Sequence, residues 1–260
     1  MRVFLLLSLL VAAFHSPPEP RELRVCADPN NLPFSNQREE GFENRIAELI
    51  ADELDARLVY EWRPQRRGFL RTGLNAGACD VVVGLASDVD MAWTTRPYYR
   101  STYAFVRPRE TPPVSSLDDA ALRTRRIGVQ IVGDDYSNTP PVHALARRGL
   151  AHNLVGYTVY GDYAQDSPAA DVVRAVARGD IDLAIAWGPF AGYFARASNP
   201  PLEVEPLVPS PADADLPMQF DVSLAVKRGR ASLPAELEGI LERRREAIDA
   251  ILDRYGVPRV

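Results

Sequence analysis

Two successive runs of alternating strand and helix patterns constrain the fold of this chain most strongly. In the first run, residues 23–26 and 58–62 have the short apolar pattern of strands, and apolar residues between them recur on one helical face. The alternation restarts at residue 126, where strands are predicted over 126–130, 153–160 and 181–186 with helices between them. The sequence therefore predicts two α/β modules in tandem.

The last strand and helix have no module of their own. A strand is predicted over 219–226 and one long amphipathic helix over 234–255, after a proline-rich stretch at 199–217 in which we expect no regular element. One strand and one helix cannot bury their apolar faces alone, so we expect them to pack on the first module. The chain would then cross twice between two lobes, near 105–108 and near 219–224, which makes a hinge.

These crossings set the expected domain boundaries. Lobe 1 comprises residues 21–106 and 222–260, and lobe 2 comprises residues 107–221. A cleft between two hinged lobes can close over a ligand.

The first strand ends in turn-forming residues, Asp28-Pro29-Asn30-Asn31, which are followed by Pro33 and Phe34. Proline fixes φ and lacks an N–H, and Asp and Asn side chains bond nearby backbone, so a shaped loop is predicted at the carboxyl end of a strand. Open α/β sheets bind ligands at that edge. The loop is therefore a candidate wall of a binding site.

The amino terminus has the pattern of a secretory signal. Residues 1–20 contain one Arg, then an apolar run too short to cross a bilayer, then three prolines. We assign 1–20 to a signal peptide and linker and expect a periplasmic protein without stable membrane insertion after cleavage. A retained amphiphilic anchor is the alternative.

Two cysteines suit an oxidising compartment. Cys26 and Cys79 each adjoin an apolar, β-branched segment, so their sulfurs can meet if the two strands are sheet neighbours. A disulfide is favoured over two buried thiols.

Composition argues against several classes of function. The net charge of −5 is unlike that of a nucleic-acid-binding protein, and the arginines at 123–126 and 243–245 are interpreted as solvated faces. The two cysteines and three dispersed histidines have no metal-ligand spacing, so we expect no bound metal and no cofactor. No Ser or Cys lies in a recognisable nucleophile elbow, and we expect the chain not to be an enzyme.

The order of the elements and several motifs resemble the type 2 periplasmic substrate-binding proteins, the receptors of ABC uptake systems. The motifs are LRVCAD at 23–28, GFEN at 41–44, AGACDVVVG at 76–84, TRPYY at 95–99, RIGVQ at 126–130 and RGDIDLA at 178–184. The resemblance implies an α/β fold of two lobes, each a mixed sheet flanked by helices, joined by a two-strand hinge.

The charged anchors of amino-acid receptors in that family are missing. Those receptors generally hold the ligand carboxylate with an Arg at the position of Met91, and the ammonium with an Asp at about the position of Trp187. Asp134 or Asp135 stands where the family often receives an anion, and would repel one. We therefore expect a cleft of aromatic rings and neutral amides that suits a macromolecular or neutral guest. The candidate rings, about half of which we assign to the core, are Phe34, Trp93, Tyr98, Tyr99, Tyr136, Tyr160, Trp187, Phe190 and Tyr193.

A narrower resemblance is carried by CADPNNLPFSN at 26–36 followed by GFENRIA at 41–47. These stretches resemble the MxaJ and XoxJ proteins, the binding-protein-like partners of PQQ-dependent methanol dehydrogenases. The resemblance implies a periplasmic accessory factor that engages a PQQ-dependent alcohol dehydrogenase and aids its maturation or function, with a peptide segment of that enzyme as one candidate guest.

Two other functions remain open. The first is an ABC receptor for a small neutral or aromatic molecule. The second is a dehydratase-like enzyme on the same fold, which a strongly shifted pKa of Glu43 or Asp28 would favour.

The candidate cleft residues share a place near predicted strand ends or in the loops that follow them. They are Asp28, Asn31, Phe34, Ser35, Ser87, Arg96, Tyr98, Gln130, Tyr136 and Trp187. Asp28 would bond a ligand or the other lobe, or hold Asn30 in an Asx turn. Trp187, at the position of a lost charge anchor, is expected to fill the cleft or contact a partner.

Two charged residues have competing assignments. Arg96 is the best remaining cation for the cleft, and its alternative is an ion pair with Asp88 or Asp90. Glu43 stands at a helix start, where we expect it to cap the helix and not to contact a ligand.

Overall fold

The computed structural model describes residues 20–87, 89–132, 138–160, 162–229 and 232–260. The predicted signal segment up to residue 19, together with Asp88, Asp134, Asp135 and Tyr136, lies outside the described residues. No helix within the described ranges combines the length and the apolar character that crossing a bilayer requires.

The elements alternate along the chain, much as the sequence predicts. The strands are β1 Glu22–Ala27, β2 Asn30–Asn31, β3 Ser35–Asn36, β4 Arg57–Trp62, β5 Val81–Ala86, β6 Trp93–Thr94, β7 Tyr99–Arg107, β8 Ile127–Ile131, β9 Leu154–Thr158, β10 Leu183–Trp187, β11 Glu203–Pro206 and β12 Gln219–Val226. The helices are α1 Phe42–Glu53, α2 Phe69–Thr72, α3 Pro140–Arg147, α4 Asp171–Arg178, α5 Gly188–Ala197, α6 Leu233–Arg243 and α7 Arg245–Arg254.

The main strands form one mixed sheet in the order β4-β1-β5-β12-β7-β10-β8-β9. β1 is parallel to both β4 and β5, as expected for two β-α-β connections. β12 is antiparallel to β5, so the last strand returns to the first module, as the sequence argument requires. The fold is thus a mixed α/β arrangement of the kind predicted.

One strand, β7, belongs to both halves of the sheet. Its residues 99–102 pair with β12, whereas residues 103–106 pair with β10. β12 itself pairs with β7 over residues 219–222 and with β5 over 222–226. The two halves are therefore continuous through β7 and β12.

The first half has a core between β-strands and three helices. α1 buries Phe42, Ile46 and Ile50 completely, and both α6 and α7 contact α1. The apolar spacing that predicts α1 from sequence is what fills this core.

The predicted disulfide is confirmed. Cys26 and Cys79 are bonded, with their Cα atoms 5.5 Å apart. β1 and β5 are neighbouring parallel strands, with Cys26 opposite Val82, so the strand adjacency on which the prediction depends also holds. Both cysteines are buried beside Phe69 and Leu74.

The structure differs from the predicted elements in three places. Residues 234–255 form two helices, because Arg244 (φ −104°, ψ 16°) leaves the helical conformation between them. The prolines at 199–217 do not exclude a strand: β11 lies at an edge of the sheet and pairs with β7, where Pro206 is tolerated. Helix α5, for which no element was predicted, begins at Gly188-Pro189, since proline fits the first turn of a helix.

Candidate functional site

A cavity of about 370 Å³ lies where the two halves of the molecule face each other. This volume is near the lower end of the range for small-ligand sites. Its lining is mainly aromatic with a few polar groups: Asp28, Asn31, Phe34, Glu43, Gln65, Gly84, Ala86, Tyr99, Tyr103, Val159, Tyr160, Tyr163, Trp187, Phe190, Phe220 and Val222. We call it the cleft.

Aromatic edge-to-face contacts build the walls of the cleft. Phe34 from the loop after β1 meets Phe190 of α5, with ring centroids 5.0 Å apart. Trp187, at the end of β10, packs against Tyr103 and Phe220 at 5.5 and 5.6 Å. Such pairs restrain each ring, so the walls are preorganised without a ligand.

Asp28 fulfils both roles that the sequence left open. Its Oδ1 accepts a hydrogen bond from the Asn30 N–H at 2.9 Å, which is an Asx turn. Its Oδ2 accepts from the Gln65 N–H at 2.6 Å and from the Tyr163 hydroxyl at 2.5 Å. Tyr163 belongs to the segment predicted as lobe 2, so Asp28 also links the two sides of the cleft.

A second polar link lies beside it. The Asn30 amide donates to the carbonyl of Gln165 at 2.7 Å, and the Ser167 N–H donates to Asn30 Oδ1 at 2.9 Å. The guanidinium of Arg66 lies 4.6 Å from the centre of the Tyr163 ring. The loop after β1 is therefore bonded to the segment 163–167 along one rim of the cleft.

The expectation that Glu43 caps α1 is wrong. The free N–H groups of the first turn are already satisfied, because Phe42 N–H and Glu43 N–H donate to the carbonyls of Pro33 and Phe34 at 2.8 and 2.9 Å. The side chain of Asn44 accepts from the Gly41 N–H at 3.0 Å. Glu43 is left to point into the cleft, where it is 8% exposed.

Glu43 lies directly over Gly84. A Cβ built on Gly84, whose φ is +85°, would fall 1.7 Å from Glu43 Oε1. Burial, together with the negative charge of nearby Asp28, raises the pKa of the Glu43 carboxyl well above its usual range. The expectation of a cleft of rings and neutral amides is therefore wrong as well, since two carboxyl groups line it.

Glu43 makes stability depend on pH in a defined direction. In the unfolded chain the carboxyl ionises near its ordinary pKa of 4.5, whereas the folded protein retains the proton to higher pH. The unfolded state then binds fewer protons, so the free energy of unfolding falls as pH rises through that window.

We expect Glu43→Gln to remove this loss, since glutamine does not titrate. The free energy of unfolding of the variant relative to wild type should increase as the pH rises above the ordinary carboxyl pKa of 4.5, measured by urea unfolding. Glu48→Gln is the control, because Glu48 lies on the same helix but pairs with Arg45 at the surface. Parallel pH profiles for wild type and Glu43→Gln would contradict the assignment.

Four predicted site residues line the cleft: Asp28, Asn31, Phe34 and Trp187. Three others, Ser35, Ser87 and Gln130, are not among the lining residues and form hydrogen bonds within the protein. The Ser35 hydroxyl donates to the Asp28 carbonyl at 2.9 Å, and the hydroxyls of Ser87 and Ser223 are 2.6 Å apart. Gln130 Oε1 accepts from the Trp187 N–H at 3.0 Å, which positions the tryptophan backbone.

Arg96 and Tyr98 lie outside the cleft. Arg96 is exposed and pairs with Glu238 at 2.8 Å and Glu242 at 3.7 Å, not with Asp90. Tyr98 faces this same surface, whereas its neighbour Tyr99 lines the cleft. Tyr98 precedes β7, and its ring packs against that of Tyr99, with centroids 5.0 Å apart.

Side chains alternate between the two faces of a strand, and this alternation accounts for several cleft rings, of which Tyr103 and Phe220 were not predicted from the sequence. Tyr99 and Tyr103 are four residues apart on β7, and Phe220 and Val222 are two apart on β12, so each pair shares a face. Tyr163 has no such signal, because it lies in a loop. Of the rings named from sequence, Trp93, Tyr98 and Tyr193 are not among the lining residues.

The described residues contain no group of three or more His, Cys, Asp or Glu side chains that could hold a metal ion.

Comparisons with known proteins find similar proteins that belong to one group. No family model matches the sequence. Protein MoxJ of Methylorubrum extorquens is 30% identical over 255 residues, covering 95% of this chain and 84% of the relative. Protein MoxJ of Paracoccus denitrificans is 32% identical over 244 residues, covering 91% and 88%.

A solved structure gives the same result. The crystal structure of the periplasmic binding protein XoxJ from Methylobacterium extorquens AM1 is 37% identical, with a TM-score of 0.76. The match covers 92% of this chain and 99% of that one.

Proposed function

Because this chain belongs to the MoxJ, MxaJ and XoxJ family of type 2 periplasmic binding proteins, we propose that it is a periplasmic accessory factor of methanol metabolism that engages a PQQ-dependent alcohol dehydrogenase. It aids the maturation or function of that enzyme, and a segment of the enzyme occupies the cleft.

One observation carries the choice of an accessory factor over an amino-acid receptor. No Arg, Lys or His is among the described residues that line the cleft, so none of these residues offers a cationic side chain to an amino-acid carboxylate. Met91, at the position of the usual arginine, is 45% exposed and does not reach the cleft. Large rings with polar edges suit a peptide segment, since they give contact area at low entropic cost.

The proposal is tested by direct association. The purified chain should form a complex with a PQQ-dependent alcohol dehydrogenase of the same organism, measured by biolayer interferometry. Trp187→Ala should weaken the complex about 30-fold, as expected for an aromatic hot spot worth about 2 kcal/mol. The backbone bond from Trp187 to Gln130 is retained in this variant.

Trp93→Ala is the matched control, because Trp93 is a half-buried tryptophan that does not line the cleft. Its complex should have wild-type affinity. Failure of the wild-type pair to associate at micromolar concentration would refute the accessory role. A small neutral solute that raises the melting temperature would then favour an ABC receptor.

A second candidate function has one specific observation in its favour. Glu43, with its raised pKa, stands beside Asp28, and pairs of carboxyl groups in unlike environments serve as acid and base in many enzymes. Against this, Asp28 already accepts three hydrogen bonds from the protein. A dehydratase-like enzyme would convert a bound solute, which proton NMR of the solute detects as new resonances.

A further inference from the structure

We propose that the cleft recognises an organic cation, an ammonium or guanidinium group of its guest, which is held between the aromatic walls and the carboxyl groups of Glu43 and Asp28. This goes beyond the proposed function, because it concerns the chemistry of the guest and holds whichever molecule presents the cation.

The sign of the charge in the cleft is the first reason. Among the described lining residues, Asp28 and Glu43 are acidic and none is Lys, Arg or His. The faces of the surrounding aromatic rings carry partial negative charge, which attracts a cation and repels an anion. A cavity with acidic groups and ring faces therefore favours a positively charged guest over a neutral one of the same shape.

The unmet hydrogen-bonding capacity of Glu43 is the second reason. Its side chain lines the cleft and is more than nine-tenths buried, yet no described residue donates a hydrogen bond to its carboxyl oxygens. Buried polar groups in folded proteins are nearly always hydrogen-bonded. An N–H donor on an entering guest would satisfy this group, and a charged donor would do so most strongly.

The rim of the cleft already shows the same chemistry within the chain. The guanidinium of Arg66 lies 4.6 Å from the centre of the Tyr163 ring and 5.9 Å from that of Tyr160, and both rings line the cleft. These tyrosines therefore accept a guanidinium on their faces in this structure.

Cation binding must be coupled to proton release. The titratable groups close enough to interact electrostatically with Glu43 are Asp28 after β1, Tyr98 just before β7 and Tyr99 on β7, while Gly84 on β5 presents none. Burial raises the pKa values of both tyrosines, so their hydroxyls stay neutral. A bound cation stabilises the ionised form of Glu43, so the complex holds fewer protons and raising the pH strengthens binding.

Isothermal titration calorimetry on the exported full chain tests this with defined probes. Agmatine and benzylamine supply a guanidinium and an ammonium without a carboxylate, and benzyl alcohol is the neutral match for benzylamine. An amidated pentapeptide with one central lysine, against the same peptide with norleucine, distinguishes a protein-borne cation from a free amine. Titration in two buffers of different ionisation enthalpy measures proton release.

We expect cationic probes to bind at least about tenfold more tightly than their neutral matches, to release protons, and to gain affinity as pH rises. Glu43→Gln should lower cation affinity at least about tenfold and abolish proton release, while Glu48→Gln leaves both unchanged. Equal affinity for cationic and neutral probes, cation binding unaffected by Glu43→Gln, or no binding of any probe at millimolar concentration would each overturn the proposal. The dehydrogenase association is measured separately, so either proposal can fail alone.

Discussion

Replacing both cysteines by alanine is expected to lower the free energy of unfolding by about 4 kcal/mol, since cross-linking a chain segment of this length restricts the unfolded state to that extent. The disulfide joins residues 53 positions apart in sequence. For a chain of this size, such a loss should lower the melting temperature by roughly 8–16 °C. Urea unfolding and calorimetry on the exported protein measure both.

The reduced wild-type protein is the control for this experiment. It keeps both sulfur atoms in the core beside Phe69 and Leu74, so any loss that it shares with Cys26→Ala/Cys79→Ala comes from the cross-link and not from packing. Unfolding of the double variant at the midpoint of the oxidised protein would contradict the expected role of the bond. Titration of the denatured exported protein should find no free thiol.

Gly41→Ala is expected to cost about 3 kcal/mol, at the upper end for inserting a methyl group into a close-packed site. A Cβ at Gly41 would lie 1.9 Å from the Phe34 carbonyl oxygen. That oxygen accepts the hydrogen bond from the Glu43 N–H, so the loop after β1 and the start of α1 would be forced apart. Because Phe34 and Glu43 both line the cleft, the variant should also lose binding to any cleft ligand.

Gly239→Ala is the matched control, since Gly239 lies within α6 and its added Cβ would meet the end of the flexible Arg243 side chain at 3.1 Å. Alanine is the better helix former by about 1 kcal/mol, so this variant should be as stable as wild type or more stable. Both substitutions add one methyl group. Gly41→Ala is expected to lower the free energy of unfolding, whereas Gly239→Ala is expected to keep or raise it. A Gly41→Ala protein with wild-type stability would show that the loop can move away from α1 at no cost.

The placement of Glu43 illustrates why parts of the site escaped prediction from sequence. An acidic residue in the first turn of a helix ordinarily interacts with the free N–H groups there. In this protein the carbonyls of Pro33 and Phe34 take those N–H groups, and this depends on the close approach of the loop at Gly41. A contact between two backbone segments is hard to predict from the sequence, because it does not depend on a pattern of side chains.

Arg96 illustrates the same limit for charged residues. Its position before β7 placed it near the edge of the sheet, but its long side chain turns to Glu238 and Glu242 on α6. Which acid an exposed arginine meets is decided by how α6 packs on the sheet, about 140 residues later in the chain.

By itself the sequence determined the alternation of strands and helices, the return of the last strand to the first module and the pairing of the two cysteines. These follow from apolar periodicity and from the need to bury one face of every element, which are local or nearly local properties. The tertiary structure alone decided that Glu43 faces the cleft, that Tyr163 donates a hydrogen bond to Asp28 and that Arg96 lies outside the cleft. The physical reason is that the orientation of a polar side chain depends on its hydrogen-bonding and ionic partners, and folding brings those partners from distant parts of the chain.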